Sequence, residues 1–137
     1  MTTDLGRALL RARITAFAAA VPLLMRLPLE RLNRVVTPRR RASRPLAELG
    51  PLVAELDAVV LWPRRPVHAG CLTRGLTRYF FLRRAGADVA LCFGMGRPYT
   101  AALEGHCWIE LDGEPVFESR DPRPVFAETY RLPRGIQ

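Results

Sequence analysis

The feature that most constrains this chain is a change of periodicity at Gly86. From Cys71 the residues CLTRGLTRYFFLRRAG carry Leu72, Leu76, Tyr79, Phe80 and Leu82 on one broad helical face, with Arg83 and Arg84 near the end and Gly86 as the stop. Beyond Gly86 the pattern becomes that of strands: Asp88 to Met95 (DVALCFGM), His106 to Leu111 (HCWIEL) and Glu114 to Glu118 (EPVFE), with Asp112-Gly113 as a hairpin turn between the last two. Helices first and strands after predict an α+β fold, in which the helix from Cys71 packs on a small antiparallel sheet.

Upstream, Leu5 to Val36 has helical spacing, and Pro22 and Pro28 divide it into two or three short helices. Thr37 to Pro45 (TPRRRASRP) reads as an exposed connector. A second helical unit follows from about Leu46 to Leu61, interrupted at Gly50-Pro51 and stopped by Trp62-Pro63, and Arg64 to Gly70 reads as a loop. After Asp121-Pro122 the tail is rich in proline and arginine and is expected to wrap the surface. A length of 137 residues fits one domain, 1–137, with a helical N-terminal part over 1–63 and, over 64–137, a core that holds the Cys71 helix and the strands.

Composition narrows the function classes. Hydrophobic residues make up 49% of the chain and charged residues 25%, enough to build a globular core. The net charge of +8 comes from 21 basic residues, all arginine, which attracts anionic partners without choosing among them. No zinc-finger spacing, RNA-binding aromatic signature or basic zipper accompanies that charge, so nucleic acid is not an expected partner. Three cysteines, Cys71, Cys92 and Cys107, with no CxxC spacing, argue against a disulfide framework and against structural zinc, and suit a reducing, cytoplasmic compartment. The longest apolar run, Ile14 to Met25, contains Pro22 and is too short for a transmembrane span. It is not read as a signal peptide either, because Asp4 lies in the would-be positive region and no cleavage site follows. No cofactor and no metal is expected.

The candidate chemistry centres on a thiol at a helix start. Backbone N–H groups and the helix dipole favour the Cys71 thiolate there, Arg74 adds positive charge one turn on, and the same N–H groups suit the oxyanion of a tetrahedral intermediate. A thiolate nucleophile needs a proton shuttle, and the chain has two histidines. His68 falls in a loop and is read as a surface residue, whereas His106 opens a strand. Alternation along that strand puts His106, Trp108 and Glu110 on one face and Cys107, Ile109 and Leu111 on the other, so Cys107 points away from His106. Cys92 and Cys107 are read as core thiols.

Two carboxylates compete to orient the imidazole. In a hairpin with a three-residue loop, Leu111-Asp112-Gly113, His106 faces Glu118; in a two-residue Asp112-Gly113 turn His106 faces Ser119 and Glu118 points to the opposite side. The three-residue register is the expectation, with Glu118 beside His106 and Asp112 serving the turn.

The stretches CLTRGLTRYFFLRRAG, ADVALCFGMG and EGHCWIELDGEPVFE together resemble the lasso-peptide maturation peptidases, the transglutaminase-like B proteins, from Cys71 to Glu118. The resemblance implies a papain-like α+β core in which Cys71 attacks the leader–core peptide bond of a ribosomally made precursor and His106 is the base. The family usually places an aspartate where Glu118 stands. The resemblance further implies a stand-alone peptidase half of a split system, whose partners are the precursor peptide, a separate leader-recognition protein and an asparagine-synthetase-like cyclase. Two other readings of the residues are an acyl transferase on the same Cys–His–acid scaffold and a non-enzymatic basic protein that binds a partner.

Overall fold

The structure, a computed structural model, describes residues 4–38, 43–61, 70–98 and 102–134. The helices are α1 (Asp4–Leu24), α2 (Leu29–Val36), α3 (Gly50–Val60) and α4 (Cys71–Ala85), with a 3-10 turn over Leu46–Leu49 leading into α3. The strands are β1 (Val89–Gly96), β2 (Glu104–Leu111), β3 (Glu114–Val116) and β4 (Phe126–Leu132), all antiparallel in the order β3-β2-β1-β4. This is an α+β fold whose N-terminal helices pack against a small antiparallel sheet, the architecture of a transglutaminase-like core.

The helix α4 is the hub. It packs on β1 and β2 on one side and meets α1 and α3 on the other. Leu76, Tyr79 and Leu82 from α4 are fully buried and share one core with Ile14 and Val21 of α1, Leu32 and Val36 of α2, Leu56 of α3, and Leu91 and Leu132 of the sheet. Each such aliphatic side chain contributes roughly 1.5–3 kcal/mol by leaving water. At the end of α4, Gly86 takes φ 113 and its N–H, with that of Ala87, closes the last turn on the Arg83 and Leu82 carbonyls. That left-handed stop is where glycine is favoured over any residue with a Cβ.

Three expectations are corrected. The segment from Leu5 is not broken at Pro22, because α1 runs unbroken to Leu24. Pro22 falls in the last turn, where its missing N–H removes one hydrogen bond, and the turn is closed beyond it by the Met25 N–H on the Val21 carbonyl at 2.9 Å. Pro28 does separate two helices, standing in extended backbone (φ −55, ψ 148) just before α2. Gly50-Pro51 does not interrupt a helix but begins one: Pro51 sits in the first turn of α3, where no intrahelical N–H bond is required. The tail after Pro122 does not merely wrap the surface, because Phe126–Leu132 forms β4 on the outer side of β1. Its alternation is hidden by a register shift opposite Phe93 and Gly94, so its inward positions do not follow a clean period of two. The stop at Trp62-Pro63, the loop that contains His68 and the middle of the basic connector lie outside the described residues.

Candidate active site

Cys71 is the first residue of α4, preceded by Gly70 in extended backbone (φ −67, ψ 171). The Arg74 N–H bonds the Gly70 carbonyl at 3.0 Å, which closes the first turn. One turn below Cys71 the helix is drawn tightly onto the sheet at Gly75. A Cβ there would stand 3.0 Å from Leu91 Cδ1 and 3.4 Å from Cys107 Cβ. That close approach sets Cys71 beside His106 and Cys107, midway along the length of β2.

The sulfur of Cys71 has three partners on β2. Its pKa is pushed down to about 5, first by a hydrogen bond from the Cys107 thiol, against the opposing effect of burial, and then by the Cys107 backbone and by the charge and hydrogen bond of His106. The Cys107 thiol is driven up by the same hydrogen bond, by burial and by the charge on Cys71. Of this coupled pair Cys71 carries the negative charge and Cys107 remains a protonated donor. The expectation that Cys107 is a plain core thiol is therefore too simple, although strand alternation does put its Cβ on the α4 side. Cys92 is fully buried, and burial raises its pKa, so it has no thiolate character.

Cys71 reaches residues from both faces of β2 because it stands at the strand's edge. The hairpin closes as a two-residue turn, with Leu111 paired to Glu114, Glu110 to Pro115 and Ile109 to Val116. Asp112 and Gly113 both take positive φ, 52 and 79, the mirror-image turn that matches strand twist. The expected three-residue loop is thus not the observed register. In this pattern the odd-numbered residues of β2 aim their backbone groups toward β3. Since β3 stops at Val116, the Cys107 N–H points past its end, to where Cys71 lies.

Glu118 nevertheless meets His106. Had β3 continued in the two-residue register, Glu118 would face away. Instead Phe117 adopts φ 64, which ends the strand and turns the following residue back, and Glu118 Oε1 accepts a hydrogen bond from His106 Nε2. A left-handed conformation at an aromatic residue costs of the order of 1–3 kcal/mol. Asp112, at the exposed tip of the hairpin, lies outside the pocket lining formed by Cys71, His106 and Glu118.

Aromatic rings hold the imidazole. The Phe126 ring centroid is 5.0 Å from that of His106, and Trp108 is nearly parallel to it at 6.1 Å. Trp108 lies over Gly94, where a Cβ would come within 2.8 Å of the indole, and its Nε1–H donates to Glu110 at 2.8 Å. Glu110 in turn binds Arg131 at 2.8 Å, so this carboxylate is committed on the far face of the sheet. Among the described residues, one group has metal-ligand chemistry, Cys92, Glu110 and Glu128. Arg131 bridges both of its carboxylates and supplies the positive charge there.

The pocket between Cys71, His106 and Glu118 has a volume of about 20 Å³ and is lined by Arg74, Gly75, Arg78, Cys107 and Phe117 as well. That is room for one water or one carbonyl oxygen. It adjoins an open cleft of about 550 Å³ bordered by Arg74, Arg78, Phe117, Arg120, Val125 and Phe126. Such a volume is in the range that accommodates a small ligand or a stretch of peptide. Sequence reasoning missed Arg78, Phe117 and Phe126; none carries a local signal, since each enters the site through tertiary packing.

The sequence profile of the Transglutaminase-like superfamily matches residues 8–131. No curated protein and no solved structure matched the chain. Among the described residues no helix is long and apolar enough to cross a membrane.

Proposed function

The chain belongs to the transglutaminase-like superfamily, the family of the lasso-peptide maturation peptidases that its motifs resemble, and from that premise we propose that it is a cysteine peptidase removing the leader from a ribosomally synthesised lasso-peptide precursor. The observation that carries this reading is the convergence of a low-pKa thiol at a helix start with an imidazole that is itself bonded to a carboxylate.

In the proposed reaction the Cys71 thiolate attacks the scissile carbonyl carbon. The oxyanion forms beside the N–H groups of the first turn of α4, whose first donors have no acceptor within the helix. His106, with Nε2 bonded to Glu118, turns its other ring nitrogen to the sulfur and delivers a proton to the departing amine. The same imidazole then takes a proton from water, which attacks the thioester and frees the second product. Glu118 keeps the ring oriented, and Arg74 adds positive charge at the rim of the pocket.

Residues 1–137 act in this reading as one domain in the cytoplasm, in which α1 to α3 buttress the catalytic helix. The expected partners are the precursor's leader region, a separate leader-binding protein and an asparagine-synthetase-like cyclase that consumes the freed core. The purified chain, incubated with precursor and leader-binding protein, should release the leader, read by mass spectrometry, and Cys71→Ala should release none. An amine acceptor that captures the acyl group in preference to water would replace this reading with acyl transfer.

A further inference from the structure

The segment that carries Glu118 leaves its strand on a backbone that its own residues do not favour. Phe117 stands at φ 64, a region that bulky side chains rarely adopt, and the turn includes no glycine to ease it. The surrounding structure must hold that turn in place.

One side chain is placed to do so. The Arg78 guanidinium lies over the Phe117 ring, 5.0 Å from its centroid, and Nη2 bonds Asp57 Oδ1 of α3 at 2.8 Å. Arg78 is two helical turns beyond Cys71 on the same face of α4 and lines the pocket with Glu118. Its side chain is only 11% exposed, and its Nε–H is buried with no hydrogen-bond partner among the described residues. A buried donor left unmatched is unfavourable. The guanidinium is therefore held there by the aromatic face and by Asp57, not by a full set of hydrogen bonds.

We propose that Arg78 and Phe117 are positioning residues for Glu118: anchored by Asp57, Arg78 clamps the Phe117 ring and so maintains the left-handed turn that presents the carboxylate to His106. The inference rests on the reading of Cys71, His106 and Glu118 as a catalytic set. Through it, α3 is tied to the catalytic acid by a single chain of contacts from Asp57 to Glu118.

The test reads the His106–Glu118 hydrogen bond directly. An imidazole Nε2–H held by a carboxylate gives a downfield, slowly exchanging proton in ¹H–¹⁵N spectra, with no substrate required. Phe117→Ala and Arg78→Gln should lose this resonance as completely as Glu118→Ala does, while Phe117→Tyr, which keeps an aromatic face, retains it. With precursor and leader-binding protein present, Phe117→Ala should lower kcat roughly tenfold or more and leave KM nearly unchanged. If Phe117→Ala does not fold, as judged by circular dichroism, Arg78→Gln leaves the ring in place and decides the matter alone. Retention of the resonance in the folded variants while Glu118→Ala loses it overturns the proposal, as does its absence from the wild-type spectrum. Failure of the wild-type chain to cleave any leader overturns the peptidase reading instead, and the spectra still decide the positioning.

Discussion

Gly75 of α4 lies flat against Cys107 of β2, close enough that a Cβ would stand 3.4 Å from that of the cysteine and 3.0 Å from Leu91 Cδ1. This contact sets the height of α4 over the sheet and hence the position of Cys71 one turn above. An alanine at 75 meets chiefly the Leu91 Cδ1 methyl, which must give by a few tenths of an ångström, and gains helix propensity of about 1 kcal/mol, so Gly75→Ala should fold with nearly unchanged stability. Gly75→Val adds branches that cannot be accommodated, and should cost about 1–3 kcal/mol in thermal or denaturant unfolding and slow alkylation of Cys71.

The rate of Cys71 alkylation against pH should show a thiolate pKa of about 5. Because the Cys107 thiol is the largest cause of that value, Cys107→Ala should raise it by roughly one unit, the worth of a hydrogen bond of about 1.4 kcal/mol. An unchanged alkylation profile in Cys107→Ala would remove Cys107 from the account of the thiolate.

The depressed pKa also links folding to pH. In the unfolded chain the Cys71 thiol ionises near its ordinary value of 9.0, so between about pH 5 and 9 the folded state holds the thiolate while the unfolded state holds the proton. The contribution of Cys71 to stability therefore grows as pH rises across that window and is lost as pH falls through about 5. Cys107 acts in the opposite sense above pH 9, where the unfolded thiol ionises and the folded one does not. Denaturation midpoints of wild type and Cys71→Ser should converge below pH 5 once the constant packing difference is subtracted.

Glu118→Gln should lower turnover by roughly an order of magnitude or more with little loss of folding, since it removes the carboxylate that accepts from His106 Nε2. Asp112→Asn should be close to silent, because asparagine tolerates positive φ as well as aspartate does. Asp112→Val, a β-branched residue at φ 52, should destabilise the hairpin by about 1–2 kcal/mol without altering the chemistry at Cys71. Loss of turnover in Asp112→Asn with Glu118→Gln fully active would reverse the assignment of the acid.

Gly94→Ala tests the platform under the imidazole. The new Cβ would lie 2.8 Å from the Trp108 ring and 3.0 Å from the Ala127 carbonyl oxygen, neither of which can move far. The indole should shift, with a change in Trp108 fluorescence and a stability loss of about 1–3 kcal/mol.

The order of elements was legible in the sequence because local periodicity encodes it. Helical spacing after Cys71, the stop at Gly86, three strands and the Asp112-Gly113 turn all appear within a residue or two of their places, since each depends on neighbours in the chain. Cys71, His106 and Glu118 were singled out from residue chemistry and motif resemblance, and the fold brings the three side chains to one pocket. What the sequence by itself could not determine was how the acid arrives. Its expected route through a three-residue loop is not the one taken: the hairpin closes in two residues, and Phe117 at φ 64 undoes the resulting misdirection. Nor was β4 legible, because its irregular pairing with β1 masks the alternation. The proximity of Cys107 to Cys71, the contact of Arg78 with Phe117 and the tilted packing of Phe126 beside His106 join residues far apart in the chain. Such contacts leave no periodic trace, because their energies depend on distances that exist only once α4 has settled on the sheet.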